Sequence, residues 1–176
     1  VMLVAHDPSD SGRTRSRRLF TTLNKRAVSV KKHETIALDE DDVMAIATRH
    51  LVEKFDPLSR EGVVSFRTSA NILPSDTKVF TAIVTLYDLL FDLFKVVSKR
   101  SADELKYNRP DDDWTDVYRG CAECFFTSLM EVFPETKRCL EGNDPEKVIT
   151  ENRRPDGGHI LFRPVGLRMI AQLVAV

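Results

Sequence analysis

The chain has 176 residues, of which 42% are hydrophobic and 30% are charged, and its net charge is −1. These values are typical of one globular domain, or of one domain with a fragment of another, and they exclude a chain that is basic throughout. The charge is unevenly distributed, because residues 1–33 carry a net charge of +6 and the remainder −7. This asymmetry indicates an anionic partner for the basic segment.

The first residues form the apolar run VMLVA, which is typical of a buried β-strand. The last four residues, LVAV, are also apolar, whereas natural chain ends are usually polar. We therefore expect a fragment of a longer protein. In this interpretation residues 1–8 are the last strand of an upstream α/β domain, and residues 13–176 form a helical domain.

A helix is predicted over residues 14–24, with four arginines in and just before its first turns. Cations at this end are unfavourable, because the helix dipole favours anions near the N-terminus. The arginines therefore form either a solvated face or a contact with phosphate or with an acidic partner. The candidate nucleic-acid contacts of the whole basic segment are Arg13, Arg15, Arg17, Arg18, Lys25, Arg26, Lys31 and Lys32.

These cations would hold nucleic acid through its phosphates, and such contacts position a protein without reading the base sequence. The segment has no recognition helix with base-reading Asn or Gln, and no aromatic alternation for stacking on single strands. The pattern therefore predicts electrostatic contact with a DNA backbone and nothing more specific.

An amphipathic helix is predicted after the acidic run DEDD at 39–42, with Asp39 as its N-cap and Pro57 as its end. Acidic residues are favourable in a first helical turn, so capping accounts for the run. A metal site is the alternative that the four acids leave open. Residues 63–66 are predicted as a short strand or an extended link.

The stretch 77–99 has apolar residues around nearly the whole circumference of a helix, so it is predicted to be buried. Asp88, Asp92 and Lys95 lie inside it and exclude a membrane span, because a charge at the bilayer centre costs roughly 2.5 kcal/mol or more. The predicted fold is mainly α, a multi-helix bundle around this buried central helix. One or two short strands are expected at the N-terminus and near residue 160.

A further helix is predicted from about Trp114 to Phe133, where Pro134 stops it, and a shorter helix follows to about Leu140. The side chains predicted to face the core are Trp114, Val117, Tyr118, Cys121, Phe125, Leu129 and Phe133. Residues 25–34 and 99–113 are polar and are predicted as connections.

The chain has three cysteines, Cys121, Cys124 and Cys139. The odd number, without a signal peptide, indicates a reducing cytoplasm. Cys121 and Cys124 have C-x-x-C spacing, but they lie in an apolar helical run and no second pair of ligands stands at usable spacing. Core cysteines are the favoured interpretation, and a redox or zinc role is the alternative.

The turn DGGH at 156–159 precedes an apolar segment and a final helix, which Pro164 would begin and which would run to residue 176. Glycines allow a backbone to approach a ligand closely, and arginines stand nearby. The candidate ligand turn consists of Asp156, Gly157, Gly158, His159 and Arg163. The alternative is a buried histidine that bonds to the backbone of its own turn.

No nucleophile–base pair, G-x-S-x-G motif, Walker loop or metal-spaced His/Glu pair can be assembled from the sequence. We predict no catalytic residue, no metal and no cofactor, and enzymatic activity is left open.

Three segments follow one another along the chain: RLFTTLNK at 18–25, ALDEDDV at 37–43 and GGHILFRP at 157–164. In this order they resemble the DGQHR-domain family, relatives of the DNA sulfur modification protein DndB. The resemblance implies an upstream ParB-like α/β half that carries the DGQHR motif, followed by a helical half. The chain departs from the family in lacking that motif, because in DGGH at 156–159 the next arginine is four residues past the histidine.

The resemblance implies a role in bacterial DNA modification, its regulation or defence, with Arg13, Arg15, Arg17 and Arg18 as phosphate contacts. A second hypothesis is a protein-interaction or oligomerisation module in which subunits share the apolar central helix. A third is a fragment of a nuclease or nucleotide hydrolase without its catalytic half. The expected partners are therefore DNA, a second copy or a partner protein of a modification system, and no membrane.

Overall fold

The structure, a computed structural model, describes residues 9–27 and 31–175. For residues 23–27 it describes the backbone only. This part of the chain holds ten α-helices and two small sheets. The helices are α1 (Asp10–Ala27), α2 (Lys32–Leu38), α3 (Val43–Lys54), α4 (Asp56–Ser59), α5 (Ile83–Val97), α6 (Ala102–Tyr107), α7 (Asp112–Val132), α8 (Pro134–Leu140), α9 (Pro145–Asn152) and α10 (Pro164–Val174). The strands are β1 (Val64–Ser65), β2 (Thr81–Ala82), β3 (Arg153–Arg154) and β4 (Gly157–Gly158). The strand and upstream domain predicted for residues 1–8 lie outside the described residues.

The mainly α fold is confirmed, and two helices rather than one make its centre. Helix α5 packs against α2, α3 and α10, and α3 packs in turn against α7 and the short α4 and α6. Residues 43–48 at the start of α3 are all buried, as are most side chains of α5. A single core joins Met44 of α3 to Leu90 of α5 and Phe126 of α7.

The central helix is shorter than the predicted 77–99, and its start was predicted wrongly. Thr81 and Ala82 belong to β2, which pairs in parallel with β1. The N–H groups of Phe80 and Thr81 both donate to the carbonyl of Val63. Because this pairing holds the backbone extended, α5 can begin only at Ile83, although the apolar pattern starts earlier.

Three short helices, α2, α6 and α9, were not predicted. The first three residues of α2 lie within the predicted connection 25–34, and α6 lies wholly within the predicted connection 99–113. In α6 the Ser101 hydroxyl accepts the N–H of Glu104 at 3.2 Å, and the Glu104 carboxylate accepts the N–H of Ser101 at 2.8 Å. Helix α9 is capped by Asp144, which accepts the N–H of Lys147 at 3.1 Å. Capping therefore supports helices that are too short for apolar periodicity to reveal.

Helix α7 and the following α8 agree closely with prediction, and Pro134 begins α8. Two of the seven side chains predicted to face the core do not do so, because Trp114 is 49% exposed and Val117 is 55% exposed. Tyr118, Phe125 and Leu129 are buried as expected. Other helices cover only one side of the first turns of α7, so an apolar residue in these turns can remain exposed to solvent.

The predicted final helix is confirmed as α10, with Pro164 in its first turn. The strands near residue 160 are the antiparallel pair β3 and β4, and residues 160–162 form a single 3-10 turn. Among the helices that the structure describes, none has both the length and the apolar character that crossing a membrane requires.

Two helical glycines allow a matched test of packing around α10. A Cβ added to Gly166 would lie 2.1 Å from the carbonyl oxygen of Ile160, whereas one added to Gly120 in α7 would meet nothing within 4 Å. We expect Gly166→Ala to lower the free energy of unfolding by about 2 to 4 kcal/mol. Gly120→Ala should raise it by roughly 0.5 to 1 kcal/mol, because alanine favours a helix. Thermal unfolding of both variants measures this, and equal melting temperatures would contradict the close approach.

Candidate anion-binding cleft

One face of α1 lies opposite one face of α3, and a polar cleft of about 580 Å³ separates them. The α1 residues that line it are spaced three or four apart, and so are those of α3, which puts each set on one side of its helix. Arg109, from the loop before α7, and Arg119 of α7 complete the walls. We call this the arginine cleft and define it by its cations Arg13, Arg17, Arg49, Lys54, Arg109 and Arg119.

The arginine cleft has an excess of positive charge. Its six cations face three carboxylates, those of Asp10, Glu40 and Glu53, and one histidine, His50. Arginine binds carboxylate or phosphate through two parallel hydrogen bonds, and each guanidinium has five donors to offer. The cleft therefore has more cationic donors than its own acids can use.

Glu40 is the centre of this charge cluster. Its Oε1 accepts from Arg17 Nη1 at 3.1 Å, and its Oε2 lies 3.4 Å from Arg49 Nη2 and 3.3 Å from Arg109 Nη1. The Glu40 side chain is only 10% exposed. Three guanidinium groups thus converge on one carboxylate, and Arg109 also pairs with a second carboxylate, that of Asp112, at 3.3 Å.

Backbone contacts hold two of these guanidinium groups in place. Arg49 Nη1 donates to the carbonyls of Ile36 at 2.7 Å and Asp39 at 2.9 Å. Burial lowers the pKa of Arg49, and the negative charges of Glu40 and Glu53 oppose that shift. Arg109 donates to the carbonyl of Glu40 at 3.2 Å. Since arginine stays protonated even when buried, both residues supply fixed positive charge.

Arg119 and His50 stand where α3 and α7 meet. His50 Nε2 lies 2.6 Å from Glu123 Oε1, and Arg119 Nη1 donates to Asp116 Oδ1 at 2.9 Å. The Nε of Arg119 is buried and has no hydrogen-bond partner in the described part of the chain. Arg119 therefore has one buried donor that no described residue accepts.

The cations predicted to bind nucleic acid fall into separate groups. Arg13 and Arg17 line the arginine cleft, and Arg15 lies exposed on α1. Arg18 Nε donates to Asp41 Oδ1 at 2.7 Å, and Lys32 pairs with Asp88.

Lys31 is exposed, and the side chains of Lys25 and Arg26 lie outside the described residues. An acidic partner for the helix that carries the arginines is thus present in the chain itself, in Glu40 and Asp41.

The acidic run 39–42 is used for capping and ion pairing, but the predicted cap was wrong. Asp42, not Asp39, caps α3, and its Oδ1 accepts the N–H of Ala45 at 3.1 Å. Its Oδ2 accepts the Tyr87 hydroxyl at 2.6 Å. Burial raises the pKa of Asp42, and burial together with the Asp42 charge raises the pKa of Tyr87. Asp39 accepts the N–H groups of Asp41 and Asp42, which closes the turn.

The cysteines do not all lie in the core as predicted. Cys139 is buried, and burial raises its pKa to about 12. Cys121 is half-buried, its pKa also raised by burial, and Cys124 is exposed. In the described ranges, no group of three His, Cys, Asp or Glu side chains is placed to hold a metal ion.

The candidate ligand turn at 156–163 uses its polar groups internally. His159 Nδ1 accepts the N–H of Leu161 at 3.3 Å, and its ring packs edge-on against Phe133 and Phe162. Arg163 donates to the carbonyl of Arg154 at 2.9 Å. This is the geometry of the alternative interpretation, a histidine that bonds to its own turn.

The remaining residues of that turn face outwards. Gly157 and Gly158 form the exposed strand β4, and Asp156 lies 3.7 Å from the guanidinium of Arg154.

Sequence reasoning missed Arg49, Arg109 and Arg119 as members of a site. They lie up to 70 residues apart and come from three elements, so no local motif joins them. One signal was available, because Arg49 lies between Ile46 and Leu51, two apolar residues of the same predicted helix, and a buried arginine requires a partner. Comparisons with protein-family models, with curated proteins and with solved structures found no match to this chain.

Proposed function

We propose that the chain binds the phosphate backbone of DNA through the arginine cleft. The observation that carries this proposal is the convergence of three guanidinium groups on Glu40, in a cleft that three further cations line. Fixed guanidinium groups suit phosphate, because they need little reorganisation to form paired hydrogen bonds.

The proposed contact is with the backbone and not with bases. Phosphate contacts position a duplex, whereas base readout needs polar side chains presented on an element that enters a groove. The cleft is lined mainly by cations and acids, and its other polar members in the described part of the chain are Thr14 and His50. Strong salt dependence and little sequence preference are therefore expected.

The resemblance to DGQHR-domain proteins supplies the biological setting of the proposal: bacterial DNA modification, its regulation or defence. Two of the three resembling segments touch each other in this fold. Arg18 of the first pairs with Asp41 of the second, and Thr21 Oγ1 donates to the carbonyl of Leu38 at 3.2 Å. The contact supports treating the two segments as one unit that holds α1 beside the cleft.

The test compares two triple variants that remove the same charge. The cleft variant is Arg13→Ala with Lys54→Ala and Arg119→Ala, none of which pairs with Glu40. We expect the Kd for a short duplex to rise roughly tenfold or more, and the salt dependence to weaken by about one unit of slope for each lost phosphate contact. Fluorescence anisotropy between about 50 and 200 mM salt measures both quantities.

The control variant is Lys137→Ala with Arg138→Ala and Arg154→Ala, which are exposed cations away from the cleft. It should lose little affinity, because its cations are not arranged around one site. If both variants lost the same affinity for DNA, net charge alone would explain the effect. If the parent chain did not bind DNA, the proposal would be wrong.

A further inference from the structure

An apolar groove of about 480 Å³ lies between the ends of α5 and α7 and helix α10. Its walls include Val97 of α5, Phe125 and Val132 of α7, and Ile170 and Leu173 of α10. Among the described residues that line it, none is charged and none also lines the arginine cleft. The groove is therefore a second surface, independent of the proposed DNA contact.

The surface in and beside the groove is apolar and exposed to an unusual degree. Val132 is 68% exposed, Leu173 67% and Val174 65%, and Met169 lies one turn before Leu173 on α10. We call this surface the apolar face and define it by Val97, Cys124, Val132, Met169, Leu173 and Val174. Contiguous exposed apolar surface of this kind marks interaction sites in folded proteins.

Helix α10 is apolar on two sides. Leu167 and Ala171 are buried against the core, whereas Met169 and Leu173 point outwards from the same helix. The apolar face thus consists of a ridge, the outer side of α10, next to a groove. A surface that holds both a ridge and a groove can pair with its own copy across a two-fold axis.

We propose that the apolar face binds a second copy of this chain, with the α10 ridge of each copy in the groove of the other. The charges that flank Val97 and Val132 in the sequence are compatible with this pairing. Lys95 and Lys99 stand at the end of α5 and Glu131 stands beside Val132, and within the described residues none of the three forms an ion pair. A border with both signs can complement itself, whereas a border of one sign would repel a second copy.

The size of the apolar face also fits a dimer of moderate strength. Six side chains exposed to this degree present roughly 500 Å² per copy, so pairing would bury about 1,000 Å² in all, near the lower limit of a specific interface. Helix α5 packs against α2, α3 and α10 of its own chain, and its end contributes Val97 to the apolar face.

Sedimentation velocity over a concentration series from about 1 to about 500 µM tests the proposal. The parent chain should pass from a 20.0 kDa monomer to a dimer. Leu173→Glu should weaken the dimer by roughly tenfold or more, because it places a carboxylate in an apolar contact at the centre of the interface. Val132→Glu, at an equally exposed position on α7, should do the same.

Phe66→Glu is the matched control, since Phe66 is 62% exposed but lies outside the apolar face. This variant should dimerise like the parent, and circular dichroism should find all three variants folded. A parent chain that stays monomeric throughout would overturn the proposal and assign the face to a different partner. A dimer that neither Leu173→Glu nor Val132→Glu weakens would overturn it as well.

DNA binding by the monomeric Leu173→Glu variant should equal that of the parent chain. This result would separate the dimer proposal from the proposal that the arginine cleft binds DNA.

Discussion

The Glu40→Gln variant is expected to be less stable than the parent chain and to bind duplex DNA more tightly. Glu40 is the only carboxylate within reach of three guanidinium groups in the described cleft, and its side chain is largely buried. Removing one partner of a buried ion pair is costly, because the remaining charge loses its compensation. Since Arg17 is half-exposed, we expect a loss of about 2 to 3 kcal/mol in the free energy of unfolding.

The same substitution should favour a polyanion for two reasons. It raises the net charge of the cleft by one, and it removes the carboxylate that Arg17, Arg49 and Arg109 share, although Arg109 keeps its pair with Asp112. Phosphate oxygens would then meet less competition for these guanidinium donors. We expect the Kd for a duplex to fall roughly three- to tenfold at low salt, with a smaller gain at high salt because of screening.

Denaturant unfolding and fluorescence anisotropy measure the two effects, and Glu53→Gln is the control. Glu53 lines the same cleft, and Glu53→Gln removes the same charge as Glu40→Gln. However, Glu53 is exposed and forms no ion pair in the described structure. It should change stability little and tighten DNA binding less than Glu40→Gln does. If the two variants behaved alike in both measurements, Glu40 would have no special place in the cleft.

The helices that sequence predicted best are those with long apolar periodicity or a proline at one end. The body of α5, most of α7, and the starts of α8 and α10 at Pro134 and Pro164 follow from these signals. The beginning of α5 did not follow, because strand pairing with β1 competes with helix formation there. Such pairing joins residues that are distant in sequence, so local pattern cannot reveal it.

The missed helix α6 is different, because its signal was present. Ser101 and Glu104 have the spacing of a capping box, and the structure forms both of its hydrogen bonds. The exposure of Trp114 and Val117 was not predictable in the same way. Periodicity identifies an apolar stripe on α7, but the neighbours that cover it decide how far the core extends along the helix.

The candidate site was predicted only in its local part. The arginines of α1 and the acidic run 39–42 are visible in the sequence, and a phosphate or acidic partner was one of the two alternatives for those arginines. Arg49 and Arg109 reach the same cleft through tertiary contacts with Glu40. Convergence of charges from separate elements depends on the packing of α1, α3 and α7, which composition does not determine.

Arg153→Met is expected to destabilise the protein by about 3 kcal/mol, because it leaves two buried carbonyls without a donor. Arg153 Nε donates to the carbonyl of Phe162 at 2.8 Å, and Nη2 donates to that of Phe80 at 2.9 Å. Both phenylalanines are buried, and their rings meet edge-on with centroids 5.6 Å apart. One guanidinium therefore joins β3, the segment before α5 and the turn before α10.

Methionine matches the length of the arginine stem but offers no donor, so the expected loss comes from the unsatisfied carbonyls more than from packing. Arg153→Lys should be intermediate, because one ammonium cannot reproduce the fork that reaches both oxygens. Arg154→Met is the control, since Arg154 is exposed and its nearest carboxylate, Asp156, is 3.7 Å away. The guanidinium chloride midpoint should fall strongly for Arg153→Met and hardly for Arg154→Met. If the Arg153→Met and Arg154→Met variants had equal midpoints, water would be replacing Arg153 as the donor to the two carbonyls. The guanidinium would then not be needed to hold these segments together.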